Sequence, residues 1–186
     1  MFHVMDAYVD FQGFRGSLKE FIPKEISIVS SEGPSCTTLL MKPPVNYTVT
    51  SSMKKEIKFL EDCYHGLKWN SGYITFENFE EELRTLLQPF NRIYVKGVEK
   101  QYLLNFLDKF VINLEDVGCP SLKKLKKSHS GVRCLNHAEN TLMCAQENAL
   151  ILHEWAQIDS TNEYPRTSTS VESDSEEGCA CCFRIR

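Results

Sequence analysis

Ile22-Pro-Lys-Glu25-Ile-Ser-Ile-Val29 is rich in β-branched residues, and from Glu25 to Val29 it reads as a strand. Cys36 to Met41 reads as another and stops at Pro43-Pro44; the short Gly33-Pro34 connection between the two fits a hairpin. Upstream, Val4 to Phe11 alternates weakly and ends at Gln12-Gly13, which predicts a first strand. Three strands in succession make a meander. After them the period changes. Ser51 or Ser52 can cap a helix running to about Tyr64, with Met53, Ile57 and Leu60 on one face. Thr75 can cap a second, marked by Phe76, Phe79, Leu83, Leu86 and Leu87. Arg92-Ile-Tyr-Val-Lys96 is a short buried-type strand ending at Gly97, Tyr102, Leu103, Phe106 and Leu107 mark another helix, and Val111 to Leu114 is a last strand. The pattern fades from Glu115 to Asn140. A final helix is expected from Thr141 to Ala156, with Leu142, Ala145, Ala149, Leu152 and Trp155 inward. The expected fold is α/β: a mixed sheet, an antiparallel meander joined to parallel strands, flanked by helices.

The 186 residues make one domain, residues 1–158, followed by a polar Ser/Glu-rich tail, 159–186, which composition predicts to be disordered. With 42% apolar residues a core forms without disulfides. The net charge of −4 gives no global attraction to nucleic acid, so any such contact needs a local patch. Lys123, Lys124, Lys126 and Lys127, with Arg133, are the strongest candidate for phosphate contacts, although a solvated charged loop reads the same way. The chain opens on no secretory pattern and holds no apolar run of membrane-spanning length. It reads as intracellular, cytoplasmic or nuclear, with its eight cysteines reduced.

Reduced cysteines are core residues, reactive groups or metal ligands. Cys134-Leu-Asn-His137 is a tight Cys-x-x-His pair, and Cys144 follows near the start of the last helix. Two thiolates and an imidazole suit zinc and leave one position to fill. Glu25, in a strand between apolar neighbours, needs a buried partner, which a metal or a lysine can supply. Cys119, in a turn-like Gly118-Cys119-Pro120, is the rival fourth ligand. Buried thiols and a surface histidine remain the alternative. His65 can pack or take part in chemistry, and Tyr64, Trp69, Tyr73 and Phe76 can pack or stack on bases. At the end of the tail, Cys179, Cys181 and Cys182, with Arg184 and Arg186, are compatible with S-acylation, with metal binding or with a plain polar terminus.

Several of these segments resemble a known superfamily. Tyr8-Val-Asp10-Phe-Gln12-Gly13, Lys24-Glu25-Ile26-Ser27-Ile28 and Tyr64-His65-Gly66-Leu67 are similar to the first strand, second strand and post-helix segment of DEDDh-type proofreading exonucleases, which have an RNase H-like fold. The resemblance places Gln12 where that family has Glu, Lys100 where it has Asp, and Met143 and Asn148 where it has His and Asp; Asp10 alone is kept. Two-metal hydrolysis needs several carboxylates at once, so the resemblance implies a degenerate, non-catalytic site unless Glu99, Glu115, Asp116 or Glu147 supplies a new one. A closer likeness is to the Maelstrom domain of small-RNA (piRNA-type) silencing, which lacks the exonuclease tetrad. Phe21 to Val29 resembles its Pro-x-Glu-Ile strand, and Cys134-Leu-Asn-His137 with Cys144-Ala145 resembles its Cys-x-x-His and Cys-Ala segments, over residues 4–157. That likeness implies a structural zinc held by Glu25, Cys134, His137 and Cys144. It also implies a module that binds RNA or a silencing-pathway protein. A single-stranded RNA nuclease with an altered site, and a protein-interaction adaptor derived from a mobile element or virus, are the alternatives.

Overall fold

The computed structural model describes residues 5–33, 35–128, 132–137 and 141–161. Its centre is a five-stranded sheet in the order β3-β2-β1-β4-β5. The strands are β1 (Asp6–Arg15), β2 (Phe21–Ser30), β3 (Cys36–Leu40), β4 (Arg92–Val95) and β5 (Phe110–Asn113). β2 runs antiparallel to both β1 and β3, whereas β4 pairs parallel with β1 and with β5. The mixed α/β architecture expected from the sequence is therefore present. β1 and β2 start or end a few residues from their expected bounds, whereas β3 starts at Cys36 as expected and ends one residue short of Met41. β1 runs on past Phe11 because Gly13 carries it through a register shift opposite β2. A Cβ at Gly13 would lie 2.3 Å from the Ile22 carbonyl oxygen, so the two backbones approach in a way only glycine permits.

The first two helices are α1 (Ser51–Phe59) and α2 (Phe79–Leu87); then come α3 (Val98–Tyr102), α4 (Leu122–Leu125) and α5 (Ala145–Thr161). Thr50, not Ser51 or Ser52, caps α1, its hydroxyl accepting the Met53 amide at 3.4 Å. α1 widens into a π-helical turn, Leu60–Tyr64, before it ends. The helix expected around Tyr102 to Leu107 instead ends at Tyr102, where successive turns replace it. α4 forms inside the weakly patterned stretch, capped by Ser121. α5 starts later and ends later than expected, so Leu142 sits before the helix and faces outward. It also extends past residue 158 into the start of the expected tail; residues 162–186 lie outside the described residues.

β1 is buried on both faces, and its alternation sorts two chemistries. Ala7, Val9 and Phe11 point with Ile26 and Ile28 into an apolar cluster closed by Leu83 and Leu87 of α2. Tyr8 and, from β2, Val29 pack against Ala149, Ile151 and Leu152 of α5. On the Tyr8 face, next along β1, lies a polar strip. Asp10, Gln12, Glu25 and Ser27 are all buried, with Gln12 opposite Glu25 and Asp10 opposite Ser27. A third cluster, Phe14, Ile22, Met53, Ile57 and Trp69, seats α1 on the far end of the β1–β2 pair.

Candidate metal centre

Glu25 stands on β2 under the first turn of α5, with its side chain fully shielded. The segment 132–137 brings Cys134 and His137 to it from one side, and Cys144 arrives as the residue before α5. The Cys134 thiol donates to Glu25 Oε1 at 2.8 Å, and His137 Nε2 lies 2.9 and 3.0 Å from the two carboxylate oxygens. The sulfurs of Cys134 and Cys144 are 3.9 Å apart. One donor atom from each of the four residues falls within 4.8 Å of every other, the arrangement of a group that could hold a metal ion. Among the described residues no second such group occurs.

The surroundings fix these donors. His137 Nδ1 donates to the His65 carbonyl oxygen, which leaves Nε2 facing the cluster. Tyr64 and His65 can offer their carbonyls because they end the π turn, where helix carbonyls have no partner of their own. The Tyr64 oxygen takes the amides of Leu142 and Met143, at 2.7 and 3.1 Å. At the opposite side α5 points its N-terminus inward. The Ala145 amide donates to Glu25 Oε2 at 2.7 Å, and the Glu147 amide lies 3.5 Å from Cys144 Sγ. A helix carbonyl end thus faces the imidazole, and a helix amide end faces the carboxylate and a thiol, as the peptide dipole favours.

The same geometry polarises the titrating groups. The Cys144 thiol is pushed down to about 4, chiefly by the hydrogen bond with Cys134 and then by His137 and the Glu147 amide, against burial. Cys134 is pushed up, by that same bond first, then by burial and Glu25. Burial alone would lower His137, but its bonds to Cys144, Glu25 and the His65 carbonyl outweigh burial and raise it to about 10. Protons therefore bridge donors that a cation would otherwise bridge, and metal binding must release them.

Cys119, the rival ligand, lies elsewhere: it packs with Leu114, Leu125 and Ala149. His65 is neutral and structural. Its Nδ1 accepts the Leu67 amide at 3.1 Å, Nε2 lies 3.2 Å from the Gly13 oxygen, and burial pushes its pKa down to about 4. Trp69 packs edge-on against Phe14, and Phe76 stacks on Phe79; Tyr73 is exposed but its hydroxyl is bonded to the Thr38 carbonyl. Of the five basic residues, Lys126 and Arg133 are engaged with Glu147 at 2.7 and 3.4 Å. Lys123, Lys124 and Lys127 remain exposed on and beside α4. Glu99 and Glu115 are paired with Arg15 and Lys96.

The other sequence-selected positions also converge. Lys100 Nζ is bonded to Asp10 Oδ1, while Gln12 Nε2 and Asn148 Nδ2 donate to Oδ2 at 3.3 and 2.8 Å. Met143 is placed apart from them, at the Tyr64 carbonyl. Lys24 was not singled out by sequence reasoning, yet it is 1% exposed and donates to the carbonyls of Met41, Trp69 and Ser71. Its position just before Glu25, facing away from it, is the only sequence signal it leaves. Cys179, Cys181 and Cys182 lie outside the described residues, and no described helix is long and apolar enough to cross a membrane. Comparison with protein-family models and with curated proteins finds no match to this chain.

Proposed function

We propose that this chain is a non-catalytic RNase H-like module of the Maelstrom kind, stabilised by zinc and built to bind RNA or a protein partner in the silencing of mobile elements. The observation that carries the reading is the meeting of two features on one sheet face. Glu25, Cys134, His137 and Cys144 gather on one side of the Gln12–Glu25 pair, and Asp10 is left with two amides and an ammonium on the other. The meander followed by two parallel strands supports the fold assignment. The donor set supports zinc: sulfur and imidazole with a single carboxylate is its usual company. Two sulfurs on one tetrahedral zinc stand roughly 3.8 Å apart, which the 3.9 Å between Cys134 and Cys144 already matches. Bound there, zinc would supply a cross-link between β2, the 132–137 segment and α5. The silencing role rests on resemblance alone.

Hydrolysis by two metal ions needs carboxylates that this site does not gather. Purified protein is expected to carry one zinc per chain and to retard labelled single-stranded RNA without shortening it, in Mg²⁺ or Mn²⁺. Replacing Lys123, Lys124 and Lys127 together with Glu should weaken retention and lower the salt dependence by about 2–3 in slope. Cleavage that Asp10→Ala abolishes would overturn the non-catalytic reading. Absence of any RNA retention would move the function to a protein partner.

A further inference from the structure

Asp10 lies at the middle of the central strand, with its side chain fully buried. A carboxylate in that position must be paired with a cation or coordinate one. Its cation comes from outside the sheet. Lys100, on the five-residue α3, reaches inward with its side chain still 19% exposed and sets its ammonium on Oδ1. On the other oxygen, Gln12 and Asn148 each donate an amide hydrogen. The cluster thereby ties β1 to α3 and α5.

A second observation marks the same spot. Asn148 is fully buried, and its side-chain oxygen Oδ1 has no hydrogen-bond partner among the described residues. A buried oxygen left so is costly, and a positive charge brought to it would satisfy it. Asp10 offers a carboxylate, and Gln12 and Asn148, whose amide nitrogens face it, can turn an amide oxygen to a cation once the carboxylate is engaged by one; neither sulfur nor imidazole is among them. This is a hard-donor set, suited to Mg²⁺, Mn²⁺ or Ca²⁺ and unlike the donor set around Glu25.

We propose that the Lys100 ammonium is the resident cation of a hard-donor site, so that the chain fills with its own side chain a position a divalent ion would take. The lysine keeps that position closed to free ions and makes the domain independent of them. Withdrawing the ammonium opens the site. With one carboxylate and two amides, the opened site should bind weakly, and an ion there should keep most of its waters. The inference does not depend on the zinc reading, because the two donor sets share no residue.

The test uses the full chain loaded with zinc and titrated with Mn²⁺, bound ion being counted from the loss of the free Mn²⁺ resonance. Wild type is expected to bind none at this site and to keep its melting temperature in millimolar Mn²⁺. Lys100→Ala should melt about 10 °C lower, since a buried carboxylate is left unpaired. It should bind one Mn²⁺ and recover part of the loss. Adding Asp10→Asn to it should abolish the binding. Lys100→Gln keeps a donor for Asp10 and makes the measurement possible should the alanine variant not fold. Wild type binding Mn²⁺ in a manner that Asp10→Asn removes would overturn the proposal. So would a folded Lys100 variant that binds none.

Discussion

Glu25→Ala is expected to abolish the zinc binding proposed above and to lower stability by about 3–5 kcal/mol. The reason is the number of groups that depend on one carboxylate. Cys134, His137 and the Ala145 amide all bond to it, and the side chains of Glu25 and His137 are 0% and 1% exposed. Removing the acid leaves a thiol, an imidazole and a helix N-terminus without their acceptor, and removes a ligand as well. Glu25→Gln should be milder in stability, since its amide oxygen can still accept from Ala145, but it should hold zinc poorly. Chelation of the wild type should act in the same direction. So should acid, because falling pH returns protons to Cys134 and His137 in competition with the metal. Elemental analysis and urea denaturation give both readouts. A Glu25→Ala protein with full zinc and an unchanged midpoint would remove the metal centre from the account of this fold.

Lys24→Met should be nearly as damaging, by about 4 kcal/mol or roughly 10 °C in melting temperature. Lys24 holds the loop that follows α1 against the β2–β3 pair. Its ammonium meets the Met41 and Trp69 carbonyls at 2.7 Å each and the Ser71 carbonyl as a third. Burial lowers its pKa to about 8, yet three carbonyl oxygens converging on one nitrogen call for the charged form at neutral pH. Methionine fills the stem's volume and satisfies none of the three oxygens. The backbones are packed closely there, since a Cβ added at Gly72 would fall 2.4 Å from the Met41 oxygen, which leaves that carbonyl little room to turn to water. Thermal denaturation within about 1 kcal/mol of wild type would show that these carbonyls find other donors.

The sequence made the meander legible because two-residue alternation, Gln12-Gly13 and the Gly33-Pro34 connection agree. It made Cys134 and His137 legible as candidate ligands because Cys-x-x-His is local. Glu25 could be selected only as a charged residue out of place in an apolar strand. What escaped was whatever depends on distant backbone. The His65 carbonyl, the Ala145 amide and the three oxygens around Lys24 carry no side-chain signature. α3 was misplaced because the apolar spacing of Leu103, Phe106 and Leu107 imitates a helix, whereas the segment turns there to place Leu104 and Leu107 under the sheet. The basic run read as one patch, but Glu147, some twenty residues on in sequence, takes Lys126 and Arg133 out of it.

The Cys134–Glu25 and His137–Glu25 contacts span 109 and 112 residues of chain. During synthesis the N-terminal sheet therefore waits for more than half of the polypeptide before its buried acid meets a partner. Closure of so long a loop comes late on any folding route. Interactions formed after the rate-limiting step leave the speed of folding almost unchanged and act on the rate of opening. The Glu25 cluster thus belongs to the lifetime of the native state: it is a latch fastened late, and among the first contacts to yield when the domain comes apart.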